Sequence, residues 1–335
     1  MNKHSSLRFM LLVTAIVTCA TTIRAQSVIT NLPESDAVAT VNVRRIVNET
    51  LPRLLTAEQM SGVQSALAKA KKVAGFDVSN IETAVVGLRL NRSAPLSVPS
   101  MLLVMRGSFN ADALVSLLKI GLAGKTHDEK YGAKTLTLLK LNDLMPTGGS
   151  AATSRAVEIA VIALDGSTIA AGIPAYVKAA VDADTGKNRI KPELAQLAGR
   201  EPNSLIAIAG LVPQGWFASV LPKDTQGSEE ITRLAGSIEQ IYIGLNMDAQ
   251  AFPLSLMLKA NTAENAHAIA GLLQSIAQFG TNITDKNVKP IVDALKITSQ
   301  DTEVQVRTAL PQDIVASFVR GLFSSPAKPA EPKKQ

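Results

Sequence analysis

Few residues in this chain have side chains suited to catalysis or to tight metal binding. The 335 residues include three histidines and one cysteine, and His4 and Cys19 both fall among the first 25 positions. The other two histidines, His127 and His267, lie in different halves of the chain. A zinc site with three histidine ligands needs more imidazole than this. The composition therefore argues against an enzyme, and we expect a non-enzymatic protein.

The strongest candidate for a metal site is the run His127-Asp128-Glu129, which follows a predicted helix. An imidazole and two carboxylates clustered in this way are able to bind a divalent ion weakly. The alternative is a solvated turn, which requires only exposed polar side chains, and the run favours that interpretation. We expect no cofactor and no metal from the rest of the sequence.

Three short motifs resemble parts of known signatures, but each lacks its companion elements. The run Gly121–Thr126 ends like a phosphate-binding loop, yet Lys119 stands where the first glycine is required. Ser116–Lys119 matches one motif of the penicillin-recognising enzymes without the others. Glu264–His267 is one half of the pair that a di-iron bundle needs. None of the three predicts a working site.

The first 25 residues have the pattern of a secretory signal. Lys3 and Arg8 give a basic start, and the segment Phe9–Thr22 is almost entirely apolar. Ala25 offers a small residue where a signal peptidase cuts, so the mature chain is predicted to begin at Gln26. The apolar segment is too short and wrongly flanked for a stable transmembrane helix. We therefore expect an exported protein, periplasmic or extracellular, with no membrane span after the signal is removed.

Removal of the signal changes the chemistry and the charge of the chain. Lipidation of Cys19 is not expected, because Thr18 is a poor residue before a lipidated cysteine. Cys19 would therefore leave with the signal, so disulfides and thiol catalysis are not expected in the mature chain. The whole chain has 34 basic and 28 acidic residues, but the basic excess is concentrated at the two ends. The body between them is close to neutral. Such a balance argues against a nucleic-acid partner.

The order of apolar segments predicts an internally duplicated α+β protein. Ile81–Leu88 and Ile238–Leu245 have similar strand patterns, each followed by a second strand and then by a helix. The dipeptide Asp165-Gly166 predicts a later hairpin, since it suits a tight turn between antiparallel strands. Each copy reads β-α-α-β-β-α-β-β-α. We expect two tandem repeats with antiparallel sheets and helices packed on one face.

This pattern divides the chain into five parts. They are a signal peptide at 1–25, a first repeat at 26–185 with an insertion loop at 142–155, a linker at 186–202, a second repeat at 203–323, and a Pro/Ala/Lys tail at 324–335. The composition of the tail predicts an extended, polyproline-like segment. Such tails are usually spacers, and the alternative is weak contact with an anionic surface through Lys328, Lys333 and Lys334.

The start of the predicted mature domain resembles a group of uncharacterised secreted bacterial proteins. The residues that carry the resemblance are Leu32–Val38, a Leu-Pro pair followed by polar residues, an alanine and an aliphatic strand. Those proteins also contain duplicated α+β units. The resemblance implies a bacterial, envelope-located protein, and it carries over no functional residues.

Two hypotheses of function follow from the sequence. The first is an exported, non-enzymatic binding or scaffolding protein of the bacterial cell envelope, whose partner is another envelope protein. The second is a periplasmic carrier of an apolar small molecule or lipid, because an Ala- and Leu-rich core with few aromatic residues could leave a cavity between sheet and helices. The sequence names neither the partner nor the ligand.

Overall fold

A computed structural model describes residues 28–74, 77–90, 99–140, 158–214, 216, 228–280, 285 and 288–323. The strands in these ranges are β1 (Ala37–Val41), β2 (Ile81–Arg89), β3 (Ser100–Gly107), β4 (Thr126–Tyr131), β5 (Lys134–Lys140), β6 (Glu158–Asp165), β7 (Thr168–Gly172), β8 (Ile206–Leu211), β9 (Ile238–Leu245), β10 (Ala251–Ala260), β11 (Lys296–Gln300) and β12 (Glu303–Pro311).

The helices of the described residues lie singly or in groups between these strands and after the last one. They are α1 (Val43–Arg45), α2 (Leu51–Leu54), α3 (Ala57–Ala74), α4 (Ala111–Gly121), α5 (Pro174–Asp184), α6 (Pro192–Ala198), α7 (Ser228–Gly236), α8 (Ala263–Gly280), α9 (Lys289–Asp293) and α10 (Gln312–Phe323). A π-helical turn joins α1 to α2, and a short 3-10 helix, Val78–Asn80, precedes β2.

All these strands belong to one antiparallel sheet, in the order β11-β12-β10-β9-β8-β1-β2-β3-β7-β6-β5-β4. The prediction of an α+β fold with antiparallel pairing is thereby confirmed. Strands β1 and β8 pair with each other at the centre, so the two halves share one sheet instead of forming two. Their pairing satisfies backbone groups that would otherwise line two exposed edges.

The strand order outward from the centre is similar in the two halves. It is β1-β2-β3-β7-β6 on one side and β8-β9-β10-β12-β11 on the other, and the first half adds the hairpin β4–β5. This similarity agrees with the predicted duplication, which nonetheless stays a prediction.

Helices α5 and α6 cover one face of the sheet, which we call the closed face. Val38, Leu102 and Tyr242 point to this face, because cross-strand partners in an antiparallel ladder lie on the same side. These side chains are buried in one cluster with Tyr176 of α5 and Leu194 of α6. The largest core of the protein therefore lies between the closed face and these two helices.

The opposite, open face carries α4, α8 and α10. On β10 the side chains alternate, so Leu258 points away from the closed face and packs against Ile269 of α8. Phe252 lies on the same side and packs against Ala316 of α10. The expectation of helices on a single face was therefore wrong. Runs such as Ala84-Val85-Val86 are apolar at consecutive positions, so both faces of the sheet are apolar and both attract helices.

Helix α6 lies inside the segment predicted as a linker, 186–202. Its residues Leu194, Ala195, Leu197 and Ala198 are all buried. Pro192 begins the helix, where its missing N–H costs no hydrogen bond. The segment thus contributes to the core. The predicted signal peptide, the insertion loop and the tail lie outside the described residues.

Asp77 holds the entry into β2 by capping the 3-10 helix Val78–Asn80. Its carboxylate accepts hydrogen bonds from the Ser79 hydroxyl at 2.6 Å and the Ser79 N–H at 3.0 Å, and Lys71 Nζ lies 3.1 Å away. The Ser79 hydroxyl, followed by Lys71, lowers the pKa of Asp77 from 3.8 to about 2. These donors favour the ionised form.

We expect this carboxylate to stabilise the fold at neutral pH and to lose that effect in acid. Its folded-state pKa lies below its ordinary value, so the contribution is complete above that value and disappears as pH falls towards about 2. An NMR titration should show the Asp77 carboxyl carbon titrating near pH 2, and Ser79→Ala should move it upward. A midpoint at the ordinary aspartate value in the parent protein would contradict the cap.

Candidate functional site

An apolar pocket of about 370 Å³ lies between α4 and the open face of the sheet. Helix α4 begins at a defined point, because the Asn110 side chain accepts a hydrogen bond from the Ala113 N–H at 2.9 Å. From there its apolar residues recur at helical spacing and turn one stripe towards the sheet. That stripe supplies Leu114, Val115, Leu117, Leu118, Gly121 and Leu122 to the wall of the pocket.

The floor of the pocket comes from three neighbouring strands. Met105 of β3 pairs with Ile169 of β7, so both side chains point to the open face. Val161 of β6 also lines the pocket, together with Ile81 and Phe109. Because these residues come from widely separated parts of the chain, only the sheet topology brings them together.

The described residues that line this pocket have hydrocarbon or thioether side chains or are glycine. Among the residues that the structure describes, the lining includes no nucleophilic and no titratable side chain. Its volume falls in the range of about 300–1,000 Å³ that is usual for small-molecule sites. A recess of this size with apolar walls is large enough to accept a small apolar molecule.

A polar recess of about 680 Å³ adjoins the apolar pocket, and Phe109 lines both. Its polar side belongs to Glu82, Arg106, Ser108, Asn110 and Ser167. Glu82 Oε1 accepts hydrogen bonds from Ser108 Oγ at 3.0 Å and from Arg44 at 2.6 Å. A ligand with an apolar part and a polar part could place the first in the apolar pocket and the second in the polar recess, which meet at Phe109.

The structure does not bring the candidate metal ligands together. Residues 127–129 form strand β4 instead of a turn, so Asp128 points to the opposite face from His127 and Glu129. Asp128 pairs with Lys119 at 2.8 Å, and Glu129 pairs with Lys178 at 2.5 Å. Among the residues that the structure describes, no group of three or more His, Cys, Asp and Glu side chains is placed to hold a metal ion.

The remaining motifs also have structural explanations. Residues 121–126 contain the end of α4, and Gly124 has a φ of 80°, a conformation that suits glycine after a helix. The His267 Nδ1 lies 2.5 Å from the Ser299 hydroxyl on the neighbouring strand β11. The His267 contact lies away from the apolar pocket, whereas Gly121 and Leu122 of the first motif line its wall.

A half-buried polar cluster on the closed face had no clear sequence signal. Glu201 accepts hydrogen bonds from Ser204 at 3.2 Å and from Ser255 at 2.9 Å. The Tyr242 hydroxyl lies beside it, and burial raises the pKa of that hydroxyl. Gly244 leaves room for the cluster, since a Cβ there would lie 2.6 Å from Glu201 Oε2. The hydrogen bonds join the connection between α6 and β8 to strand β10.

Comparison with known proteins assigns this chain to no family. No family model matches the chain, and no curated protein sequence matches it. Solved structures that resemble it include three crystal forms of TP0453. Form III has 9% identity and a TM-score of 0.48 over 88% of this chain and 97% of that one. Form IV has 10% identity and a TM-score of 0.46, covering 87% of this chain and 95% of that one. Form I has 12% identity and a TM-score of 0.44, covering 88% of this chain and 97% of that one. No helix among the described residues is long and apolar enough to cross a bilayer.

Proposed function

We propose that this chain is an exported, non-enzymatic binding protein of the bacterial envelope that carries an apolar small molecule or a lipid. The observation that carries the proposal is the pocket of about 370 Å³ under α4, whose described lining side chains are all apolar. Burial of a ligand's hydrocarbon surface there would be favourable by about 25 cal/mol per Å². Of the two hypotheses from the sequence, the carrier gains this support.

The polar recess beside the pocket favours an amphipathic ligand, such as a fatty acid or another lipid with one polar end. The hydrocarbon chain would lie between α4 and the strands, and its head would lie in the recess beside Ser108, Asn110 and Ser167. Exposed polar groups can satisfy such a head without the desolvation cost of burying it. Export rests on the signal pattern at 1–25, and the envelope location rests on the resemblance at Leu32–Val38.

The first experiment is native mass spectrometry of the mature protein purified from cells, followed by organic extraction. We expect extra mass that is lost on denaturation. Binding of a fluorescent fatty acid, parinaric acid, should then be measured on delipidated protein. Val115→Trp should fill the pocket and weaken this binding by tenfold or more, because the indole would occupy the space of the ligand.

The matched control is Ser116→Trp, which adds the same side chain to the exposed side of α4. We expect Ser116→Trp to bind the fatty acid like the parent protein, and both variants should keep the parent circular dichroism spectrum. A chain that is bare in the mass spectrometer and that does not bind parinaric acid would contradict the proposal. Equal weakening by both tryptophans would place the ligand elsewhere.

A further inference from the structure

The polar recess beside the apolar pocket is rich in hydrogen-bond acceptors. Ser108 and Ser167 both line it, and each donates its hydroxyl proton within the protein, to Glu82 Oε1 and to Asp165 Oδ1, both at 3.0 Å. A hydroxyl has one proton to donate and two lone pairs that accept, so both serines still offer acceptors to a further group. The Glu82 carboxylate can only accept. These side chains therefore suit a group that brings O–H or N–H donors.

Asn110 adds a donor to the same recess. Its Oδ1 accepts the Ala113 N–H at the start of α4, at 2.9 Å, so the amide oxygen is used by the helix. The NH2 group of that amide is then the part of the side chain that can donate to a bound molecule. A head group that both donates and accepts hydrogen bonds is complementary to this mixture, whereas a head group that only accepts is not.

The charges around the recess are balanced within the protein. Glu82 pairs with Arg44 at 2.6 Å. The cation among the described lining residues is Arg106, which lies on the same side of β3 as Val104, because side chains alternate along a strand. Val104 belongs to the closed-face core, and Arg106 acts electrostatically on Asp165. A ligand carboxylate in the recess would thus meet cations that already have acidic neighbours, and it would lie close to Glu82.

We propose that the bound lipid has an uncharged, hydroxylated head, as in a monoacylglycerol, and that the recess discriminates against a free fatty acid. This inference rests on the proposed function and names the class of ligand. The acyl chain would occupy the apolar pocket, and the hydroxyl groups of the head would donate to the acceptors of Ser108, Ser167 and Glu82.

The two charged kinds of head are less favourable for different reasons. An ionised carboxylate brings acceptors only, and two carboxylates close together repel each other, so Glu82 disfavours it. An ammonium head brings donors, but Arg44 already neutralises the charge that would attract it. Hydroxyl groups satisfy the same acceptors without adding a charge to the recess.

Displacement of parinaric acid from the delipidated mature protein tests the head group while the hydrocarbon chain is held nearly constant. The competitors are monolaurin, laurate and dodecylammonium, which have chains of similar length and carry a neutral, an anionic and a cationic head. All are used below the concentrations at which they form micelles. We expect monolaurin to displace parinaric acid at a concentration at least tenfold lower than either charged lipid.

Two variants assign this preference to the recess. Glu82→Gln keeps the size of the side chain and removes its charge, so that Arg44 can pair with a ligand carboxylate, and the advantage of monolaurin over laurate should disappear. Ser167→Ala removes one acceptor, so it should weaken monolaurin by about fivefold, the scale of one hydrogen bond, and leave laurate unchanged. The control Glu229→Gln removes an exposed carboxylate from α7 and should behave like the parent.

The outcomes separate the preference for a head group from ligand carriage itself. If the parent binds parinaric acid but monolaurin displaces it no better than laurate or dodecylammonium does, the inference is overturned and carriage stands. Unchanged discrimination in both Glu82→Gln and Ser167→Ala, with parent circular dichroism spectra, would place the head outside the recess and would also overturn it. Absence of parinaric acid binding would overturn the proposed function, and this inference with it.

Discussion

Replacement of Gly107 by alanine should cost about 3 kcal/mol of folding free energy or more, at the upper end of the range for overpacked sites. A Cβ at this position would clash with the Asn80 carbonyl oxygen and would lie 2.9 Å from the Ile81 Cα. These are backbone atoms, so no side-chain rotation relieves the contact. The local chain is also fixed, because Ser108 N–H donates to the same Asn80 oxygen at 2.8 Å. Chemical denaturation measures the loss.

Gly62→Ala is the matched control for that substitution. Gly62 lies within α3, and a Cβ there has nothing within 4 Å. Because glycine is a poor helix former, alanine should raise the free energy of unfolding by about 0.5–1 kcal/mol. We expect the free energy of unfolding to fall in Gly107→Ala and to rise in Gly62→Ala. If Gly107→Ala unfolded at the same denaturant concentration as the parent, the close approach of β3 to the 3-10 helix would be wrong.

Truncation of Leu194 to alanine should destabilise the protein by about 2–5 kcal/mol. The leucine is fully buried in the closed-face core beside Ala207 and Tyr176, although it lies in the segment that the sequence suggested as a linker. Removing its methyl groups would lose their transfer free energy and leave a cavity. Thermal and chemical denaturation of the mature protein measure the change.

Gln196→Ala in the same helix provides the comparison. This side chain is exposed, and its truncation should change the free energy of unfolding by no more than about 0.5 kcal/mol. Similar small effects at both positions would show that α6 does not pack on the sheet. A large effect at Leu194 alone would establish that 186–202 belongs to the folded core.

Local features of this protein were predictable from the sequence because they depend on neighbouring residues. The run Ile81–Leu88 predicted β2, which spans Ile81–Arg89, and the expected helix after β3 is α4 at Ala111–Gly121. Asp165-Gly166 predicted the turn between β6 and β7, which pair as expected. Apolar periodicity and turn chemistry act over a few residues, so one sequence contains the whole signal.

Helix α6 had a local signal that the composition of its surroundings concealed. Pro192 at the first turn, followed by Leu194, Leu197 and Ala198, has helical spacing. The flanking glycine and charged residues resemble a linker. The burial of the apolar side chains of α6 shows that the segment packs in the core. The spacing of the apolar residues of α4 likewise predicted an amphipathic helix, but it did not predict the pocket beneath that helix.

The sequence by itself determined the α+β class, the strand and helix periods, and the scarcity of catalytic side chains, since each follows from composition or from short-range patterns. The tertiary structure decided the pairing of β1 with β8, the two covered faces, the pocket under α4 and the separation of His127 from Asp128. The reason is physical: strand pairing and helix packing join residues that are far apart in the chain. Where both faces of a sheet are apolar, only the packed fold decides which helix covers which face.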